Sequence, residues 1–407
     1  MTTTVVAIFV VVYAGMVLGG LPYLQLDRTG VALLGAIAIV GLEVLSPEQA
    51  ALSVHLPTLL LLFSFMVISA QMRLGGFYGW VTRGLASLPW APPTLLAAVI
   101  GVAAALSAVF SNDVVCLAVT PVLIDGCRRR GLDPVPYLLA LACAANIGSA
   151  ATLIGNPQNM LIGQVLGLGF ASYLAEAVLP VLLSLATTWL LIAWQARGRW
   201  SGPAPPAAAE RRGDEPALDR WQTAKGLAVV GVLLAIFLFT GWPREVAALT
   251  AAGLLLMSRR FHSNKMLGLI DWELLILFIG LFVVNHALEH TGITRAAIEE
   301  LALSGVSLRE PATFFGAAFL LSNLVSNVPA AMLLLPAATE SFSGPLLALV
   351  STLAGNLLIV GSIANMIVVA AAARAGIDID WRRHARTGIP VTLASLAIVA
   401  ACFALRW

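Results

Sequence analysis

Asn112 and Asn327 head the residues of this chain that could hold something polar. Each follows a serine in the motif Leu-Ser-x-x-x-Ser-Asn-x8-Pro, which runs from Leu106 to Pro121 and recurs 215 residues later from Leu321 to Pro336. Hydroxyl and amide groups supply both donors and acceptors, and both copies lie in otherwise apolar sequence. In lipid, an unsatisfied amide and a helix-breaking proline are each costly, so both places are expected to hold a polar solute. Asp113 adds a carboxylate, which at membrane depth binds a cation or proton or else caps a helix. A second pair of polar breaks follows at Ile154-Gly155-Asn156-Pro157-Gln158-Asn159-Met160 and Val360-Gly361-Ser362-Ile363-Ala364-Asn365-Met366. Where a helix stops inside a membrane, its free carbonyls and the next helix's free amides can coordinate a cation or cradle an anion. Ser111, Asn112, Asp113 and Ser326 with Asn327 are placed to cap such starts, and Pro329 suits a first helical position.

Other motifs point to rival chemistries. His286-Ala-Leu-Glu289-His290 matches the H-x-x-E-H pattern of zinc proteases, so a membrane metalloprotease is the competing class. No third ligand follows it, and the register of the repeat places Ala70 to Leu74 opposite, so a solvated helix end is expected and the chain is read as no enzyme. Cys116, Cys127, Cys143 and Cys402 form no CxxC pair, which excludes a disulfide framework and a cysteine zinc site. Basic runs such as Arg128-Arg129-Arg130 flank apolar segments, where they anchor a membrane protein and do not bind nucleic acid.

The elements that must position these residues follow from composition. With 59% apolar and 11% charged residues and a mean hydropathy of +0.93, 407 residues have too little polar surface to cover a soluble globule. The chain is expected to be an all-α integral membrane protein. Apolar runs long enough to cross lie near 4–21, 29–45, 56–72, 173–195, 224–241, 243–258, 271–288 and 387–405, with interrupted runs between them at 94–124, 137–170, 311–339 and 345–373. The first run lacks the positive flank of a cleaved signal and is expected to stay as a helix. Amphipathic stretches around 77–88 and 292–303 are expected in the interface.

If the runs at 94–124 and 311–339 enter and leave on one side, 19 of the 23 Lys and Arg residues share a side; if they cross, the split is 10 to 13. The positive-inside bias selects the re-entrant arrangement. Two five-crossing halves of opposite orientation result, with about 10 transmembrane helices plus 2 hairpins. The first half is 1–197, with hairpin 94–124 and broken helix 137–170. A cytoplasmic linker spans 198–222, and the second half is 223–407, with hairpin 311–339 and broken helix 345–373. Both termini are expected outside a cell (inner) membrane. Inverted repeats with broken helices are the architecture of secondary transporters; a channel would need polar faces along its length, whereas polarity here is confined to the breaks.

The run Phe110-Ser-Asn-Asp113 with Thr120-Pro121, then Ile154-Gly-Asn-Pro157-x-Asn159, Asn327-Val-Pro329 and Thr387-Gly-Ile-Pro390 resembles the ion transporter superfamily over nearly the whole chain. Its members include arsenite permeases, divalent-anion/sodium symporters with their citrate-transporter-like domain, and the melanosomal P protein. The resemblance implies an elevator-type secondary transporter, usually a homodimer, in which two hairpin tips and two unwound helices enclose a small inorganic or organic anion. Carried over by position, the binding residues would be Ser111, Asn112, Asp113, Asn146, Thr152, Gly155, Asn159, Ser326, Asn327, Gly361, Ser362 and Asn365. Sodium-coupled dicarboxylate carriers have Ser-Asn-Thr at both tips; here the third residues are Asp113 and Val328, closer to the arsenite permeases, while Asn365 is closer to the P-protein branch. The leading expectation is proton-coupled arsenite or antimonite efflux, followed by a sodium- or proton-coupled organic-anion carrier and then sodium/proton antiport. No cofactor is expected beyond H+ or Na+ as coupling ion, with Na+ placed at the same breaks.

Overall fold

The structure, a computed structural model, describes residues 1–21, 24–201 and 217–405. In chain order the first part holds α1 (Thr2–Leu18), α2 (Arg28–Gly41), α3 (Pro47–Ser53), α4 (Leu56–Leu74), α5 (Phe77–Ser87), α6 (Pro92–Val109), α7 (Asn112–Arg129), α8 (Pro134–Ser149), α9 (Pro157–Val165) and α10 (Phe170–Gln195). The second holds α11 (Arg220–Phe239), α12 (Arg244–Leu256), α13 (Ser263–Leu267), α14 (Trp272–His290), α15 (Ile293–Leu303), α16 (Pro311–Val325), α17 (Asn327–Leu334), α18 (Ser343–Ala354), α19 (Ile363–Arg374) and α20 (Trp381–Ala404). Strands are confined, among the described residues, to one ladder that pairs Gly20 with Asp27 and Leu21 with Leu26.

Local sequence explains most helix starts. Asp27, Asp133, Asn156, Asp219, Asp271, Ser362 and Asp380 each cap a helix through the side chain, satisfying an N–H that has no intrahelical partner. Pro92, Pro134, Pro157 and Pro311 open helices where the missing N–H is not needed. Among the described residues six helices, α4, α6, α10, α11, α14 and α20, are long and apolar enough to cross a membrane. Three of the expected crossing runs give shorter helices, with 17 residues in α1, 14 in α2 and 13 in α12.

The outer helices pair across the halves, α2 with α14 and α4 with α12, and α10 packs along α20. At the centre lie α8 and α18. All twelve residues of α18 are buried, as are nearly all of α8, and a helix apolar on every side belongs in the core. Both stop inside the protein. After α8 the chain unwinds from Ala150 to Asn156 before α9, and after α18 it passes through a 3-10 turn at Ile359–Gly361 before α19. The interruptions expected at 137–170 and 345–373 are these two broken helices.

The hairpins fold at the expected tips but differ in their arms. The first, α6 and α7, extends to Arg129, and Pro121 lies inside an unbroken α7. In the second, α17 stops at Leu334 and Pro336 falls in a 3-10 turn over Leu335–Ala337. Capping at the tips departs from expectation. Ser111 and Ser326 occupy the N-cap positions without a side-chain cap bond, and Asn112, Asp113 and Asn327 are already helical. Pro329 is third in its helix, still within the turn whose N–H groups lack partners. Of the linker expected at 198–222, residues 202–216 lie outside the described residues, and its end from Arg220 onward is helical.

Candidate functional site

The C-terminal ends of α8 and α18 meet, and the side chains flanking each break bond into the other break. Asn146, 2% exposed, is the hub. Its Oδ1 accepts from Asn112 Nδ2 at the first hairpin tip (3.0 Å) and from Ser362 Oγ (2.9 Å), and its Nδ2 donates to Asn356 Oδ1 (2.8 Å) and Asn365 Oδ1 (3.1 Å). Asn365 Nδ2 in turn donates to the carbonyls of Gly355 (2.8 Å) and Leu358 (3.1 Å), two of those freed where the helix unwinds. Asn356 donates to the Cys143 carbonyl at 3.5 Å, and its own carbonyl lies 3.1 Å from His384 Nε2.

A second network mirrors the first. Thr352 Oγ accepts from Asn156 Nδ2 and Gln158 Nε2, each at 3.2 Å, and lies 3.2 Å from Asn159 Oδ1. Asn159 donates to the Thr152 carbonyl and to Tyr173 Oη, both at 3.2 Å, and Tyr173 donates to the Ala150 carbonyl at 2.7 Å. Thr152 Oγ donates to the Ala108 carbonyl at the end of α6. Thr352 thus holds, for the first break, the place that Asn146 holds for the second. The signal was in the sequence: Gly155 and Gly361, and Asn159 and Asn365, are 206 apart, and so are Asn146 and Thr352.

Backbone approach brings the tips in. A Cβ on Gly148 would lie 2.3 Å from Ala104 Cα, and one on Gly155 2.3 Å from the Ser149 carbonyl and 2.8 Å from that of Ser107. Neither position can carry a side chain without moving backbone. Asn112 N–H donates to the Gly155 carbonyl at 3.4 Å. At the second tip, Asn327 Nδ2 lies 3.2 Å from where a Cβ on Gly355 would be, and that same Cβ would be 3.2 Å from the Gly361 carbonyl.

The twelve expected residues therefore divide. Asn112, Asn146, Gly361, Ser362, Asn365 and Asn327 converge on the break after α18, with Ser326 at the turn beside them. Thr152, Gly155 and Asn159 build the break after α8. Ser111 and Asp113 face another way, lining with Arg73 and Asp271 a cavity of about 50 Å³ between the first tip, α4 and α14. Among the buried oxygens without a partner in the described residues, four at the hairpins fall in repeat-related pairs: Ser107 Oγ with Ser322 Oγ, and Asn112 Oδ1 with Asn327 Oδ1. Sequence reading missed Thr352, Gln158, Tyr173, Arg73, Asp271 and the two serines.

The rival metal chemistry finds no site among the described residues. The rings of His286 and His290 pack edge to face at 4.6 Å between centroids, and no three His, Cys, Asp or Glu side chains gather around a point. The four cysteines are free.

The family model for the citrate transporter (CitMHS) matches residues 6–353. The chain belongs to that family. The chain is 30% identical over 454 residues to the silicon efflux transporter LSI3 of Oryza sativa subsp. japonica, covering 93% of this chain and 92% of the relative. It is 22% identical over 490 residues to the putative transporter arsB of Dictyostelium discoideum, covering 92% of this chain and 87% of the relative. Among solved structures, the fold is similar to that of the Alcanivorax borkumensis YdaH transporter, with a TM-score of 0.60 at 13% identity over 98% of this chain and 96% of that one. This citrate-transporter family member is a multi-pass membrane protein and a secondary transporter.

Proposed function

We propose that the chain exports an uncharged metalloid hydroxide, arsenious or silicic acid, in exchange for protons, by an elevator-type mechanism in a fold of two inverted halves, 1–197 and 223–407. One observation carries the substrate reading. The side chains that meet at the breaks are amides and hydroxyls, and the carboxylate of the first tip, Asp113, lines the neighbouring cavity with Arg73. A neutral hydroxide needs no counter-charge from such a lining, whereas a dicarboxylate finds none in it unless cations accompany it. The names of the silicon efflux relative and of arsB support the same chemistry. The reciprocal bonding of Asn146 and Thr352 across the breaks supports the inverted halves, which place both termini outside and the linker within the cell. Asp113 is assigned as the group that exchanges the coupling proton, and the carrier as a homodimer.

Everted membrane vesicles test this directly. Arsenite and silicic acid are expected to accumulate with an imposed proton gradient and not with the gradient collapsed. Asp113→Asn is expected to leave transport without its pH dependence. Uptake indifferent to the gradient, or unchanged pH dependence in Asp113→Asn, counts against proton exchange at this residue. A second reading, a citrate carrier, is favoured by the description of the family model; labelled citrate presented with a divalent cation in the same vesicles decides between the two.

A further inference from the structure

The amide chain at the second break has only one self-consistent direction. Both N–H groups of Asn365 are committed to main-chain carbonyls, Gly355 at 2.8 Å and Leu358 at 3.1 Å. Its Oδ1 must therefore be the atom turned to Asn146, and Asn146 must present Nδ2 to it. The other N–H of Asn146 meets Asn356 Oδ1, whose amide is anchored independently on the Cys143 carbonyl. Asn146 Oδ1 is then the atom facing the first hairpin, and its two lone pairs are filled by Ser362 Oγ and Asn112 Nδ2. Asn112 is left with its oxygen. Turning Asn112 over would set oxygen against oxygen, and reversing the whole chain would set the Asn365 oxygen against two carbonyls.

Asn112 Oδ1 is buried, in a residue 6% exposed, and has no partner. Asn327 Oδ1, on the repeat-related residue beside Gly355, is also buried without a partner. A buried acceptor left without a donor costs about 1–3 kcal/mol, and the two fall at the tips where the hairpins converge on the second break. An amide oxygen cannot donate. It repels a carboxylate or an oxyanion, which offers only lone pairs, and welcomes a hydroxyl.

We infer that the two hairpin tips recognise the substrate as a hydrogen-bond donor: Asn112 Oδ1 and Asn327 Oδ1 accept from the hydroxyl groups of a fully protonated hydroxide and reject its conjugate base. Asn365, Asn146 and Asn356 are positioning residues that set this polarity at Asn112 from the helix-break carbonyls. The inference rests on the function proposed above and deepens it, since it names the atoms that select the protonated substrate.

Equilibrium binding to the full-length protein in proteoliposomes, with no ion gradient, tests it. Radiolabelled arsenite and antimonite are titrated from neutral pH upward through the dissociation of each acid; antimonous acid is the weaker acid of the two. Binding of each is expected to fall as that hydroxide ionises, so arsenite is lost at the lower pH. Asn112→Leu, which keeps the bulk and removes the acceptor together with the Nδ2 donor to Asn146, is expected to weaken arsenite binding about tenfold, the upper range for one net hydrogen bond, with a modest fall in melting temperature in lipid from the lost bond to Asn146. Loss of both ligands at one common pH, tighter binding of the ionised forms, or wild-type affinity in Asn112→Leu overturns donor recognition while leaving metalloid transport standing. No binding of either hydroxide at neutral pH removes the proposed function, and this inference with it.

Discussion

The two hairpins carry the same motif and are held in opposite ways. At the first tip Asn112 bonds through its side chain to Asn146 and through its N–H to Gly155, Thr152 clamps the end of α6 at Ala108, and α6 passes the broken helix backbone to backbone at Gly148. At the second tip the oxygen is unpartnered as it is on Asn112, but among the described residues no bond like that from Asn112 to Asn146 ties Asn327; α17 is only eight residues long, and Ser326 adopts φ 77° and ψ 161°. That conformation belongs almost wholly to glycine and costs on the order of 1–3 kcal/mol in any other residue. A repeated sequence thus gives two differently held hairpins. The first is tied into the network at the breaks. The second is strained and less tied, and on the proposed mechanism it is the one assigned to open.

The largest effect that would break this comparison concerns the asparagines themselves. Asn112→Ala and Asn327→Ala are both expected to lower transport by a hundredfold or more, an estimate of roughly 3 kcal/mol for loss of a tip that touches substrate. Stability should separate them. Asn112→Ala removes a bond to the hub and should cost about 0.5–1.5 kcal/mol, whereas Asn327→Ala removes no partner seen in the fold. Transport assays paired with thermal unfolding of the purified proteins read both quantities. Equal stability losses would erase the distinction between the tips, and wild-type flux in either variant would remove that tip from the site.

Next in size is the glycine contact. Gly148→Ala drives a Cβ into the Ala104 backbone, where nothing flexible can give way, and overpacking of this kind costs about 1–3 kcal/mol or more. Gly355→Ala meets the Asn327 amide and the Gly361 and Thr352 carbonyls, each at 3.2 Å, contacts relieved by a shift of a few tenths of an ångström. The first variant is expected to fall sharply in melting temperature and the second only slightly. Similar losses in both would mean that the second hairpin is packed as firmly as the first.

How far these differences could be read from sequence depends on what made them. The repeat, the positions of both tips and the two breaks were legible, because serine, asparagine, glycine and proline in apolar runs carry their meaning locally. Asn146 and Asn365 were named among the site residues, but their bond to one another joins positions 219 apart, and no local pattern announces it. Thr352 escaped because it replaces an asparagine by a different residue type and emerges only when the second breaks are aligned at their own offset, 206 residues and not 215. Asp113 was expected as a cap or a cation site. The helix starts one residue before it, and its neighbours Arg73 and Asp271 come from α4 and the N-cap of α14, which only folding brings together. The strain at Ser326 has no sequence signature, since serine elsewhere is an ordinary turn residue.

That strain gives the smallest and most specific prediction. Ser326→Gly relieves an unfavourable backbone conformation, while Ser111→Gly has none to relieve, because Ser111 sits at φ −56° and ψ 127°. Glycine raises the entropy of the unfolded chain equally in the two variants, by an amount worth about 0.4–1 kcal/mol, and neither serine makes a cap bond that would be lost. The difference between the two therefore isolates the native strain. Ser326→Gly is expected to stabilise by about 1 kcal/mol or less after this offset and Ser111→Gly to destabilise by a similar amount, seen as melting shifts of opposite sign. If stored strain helps the second hairpin leave its closed position, Ser326→Gly should also slow transport while leaving equilibrium binding of substrate intact. Shifts of the same sign would show that the tip conformation is held without cost, and the second hairpin would lose its claim to be the moving one.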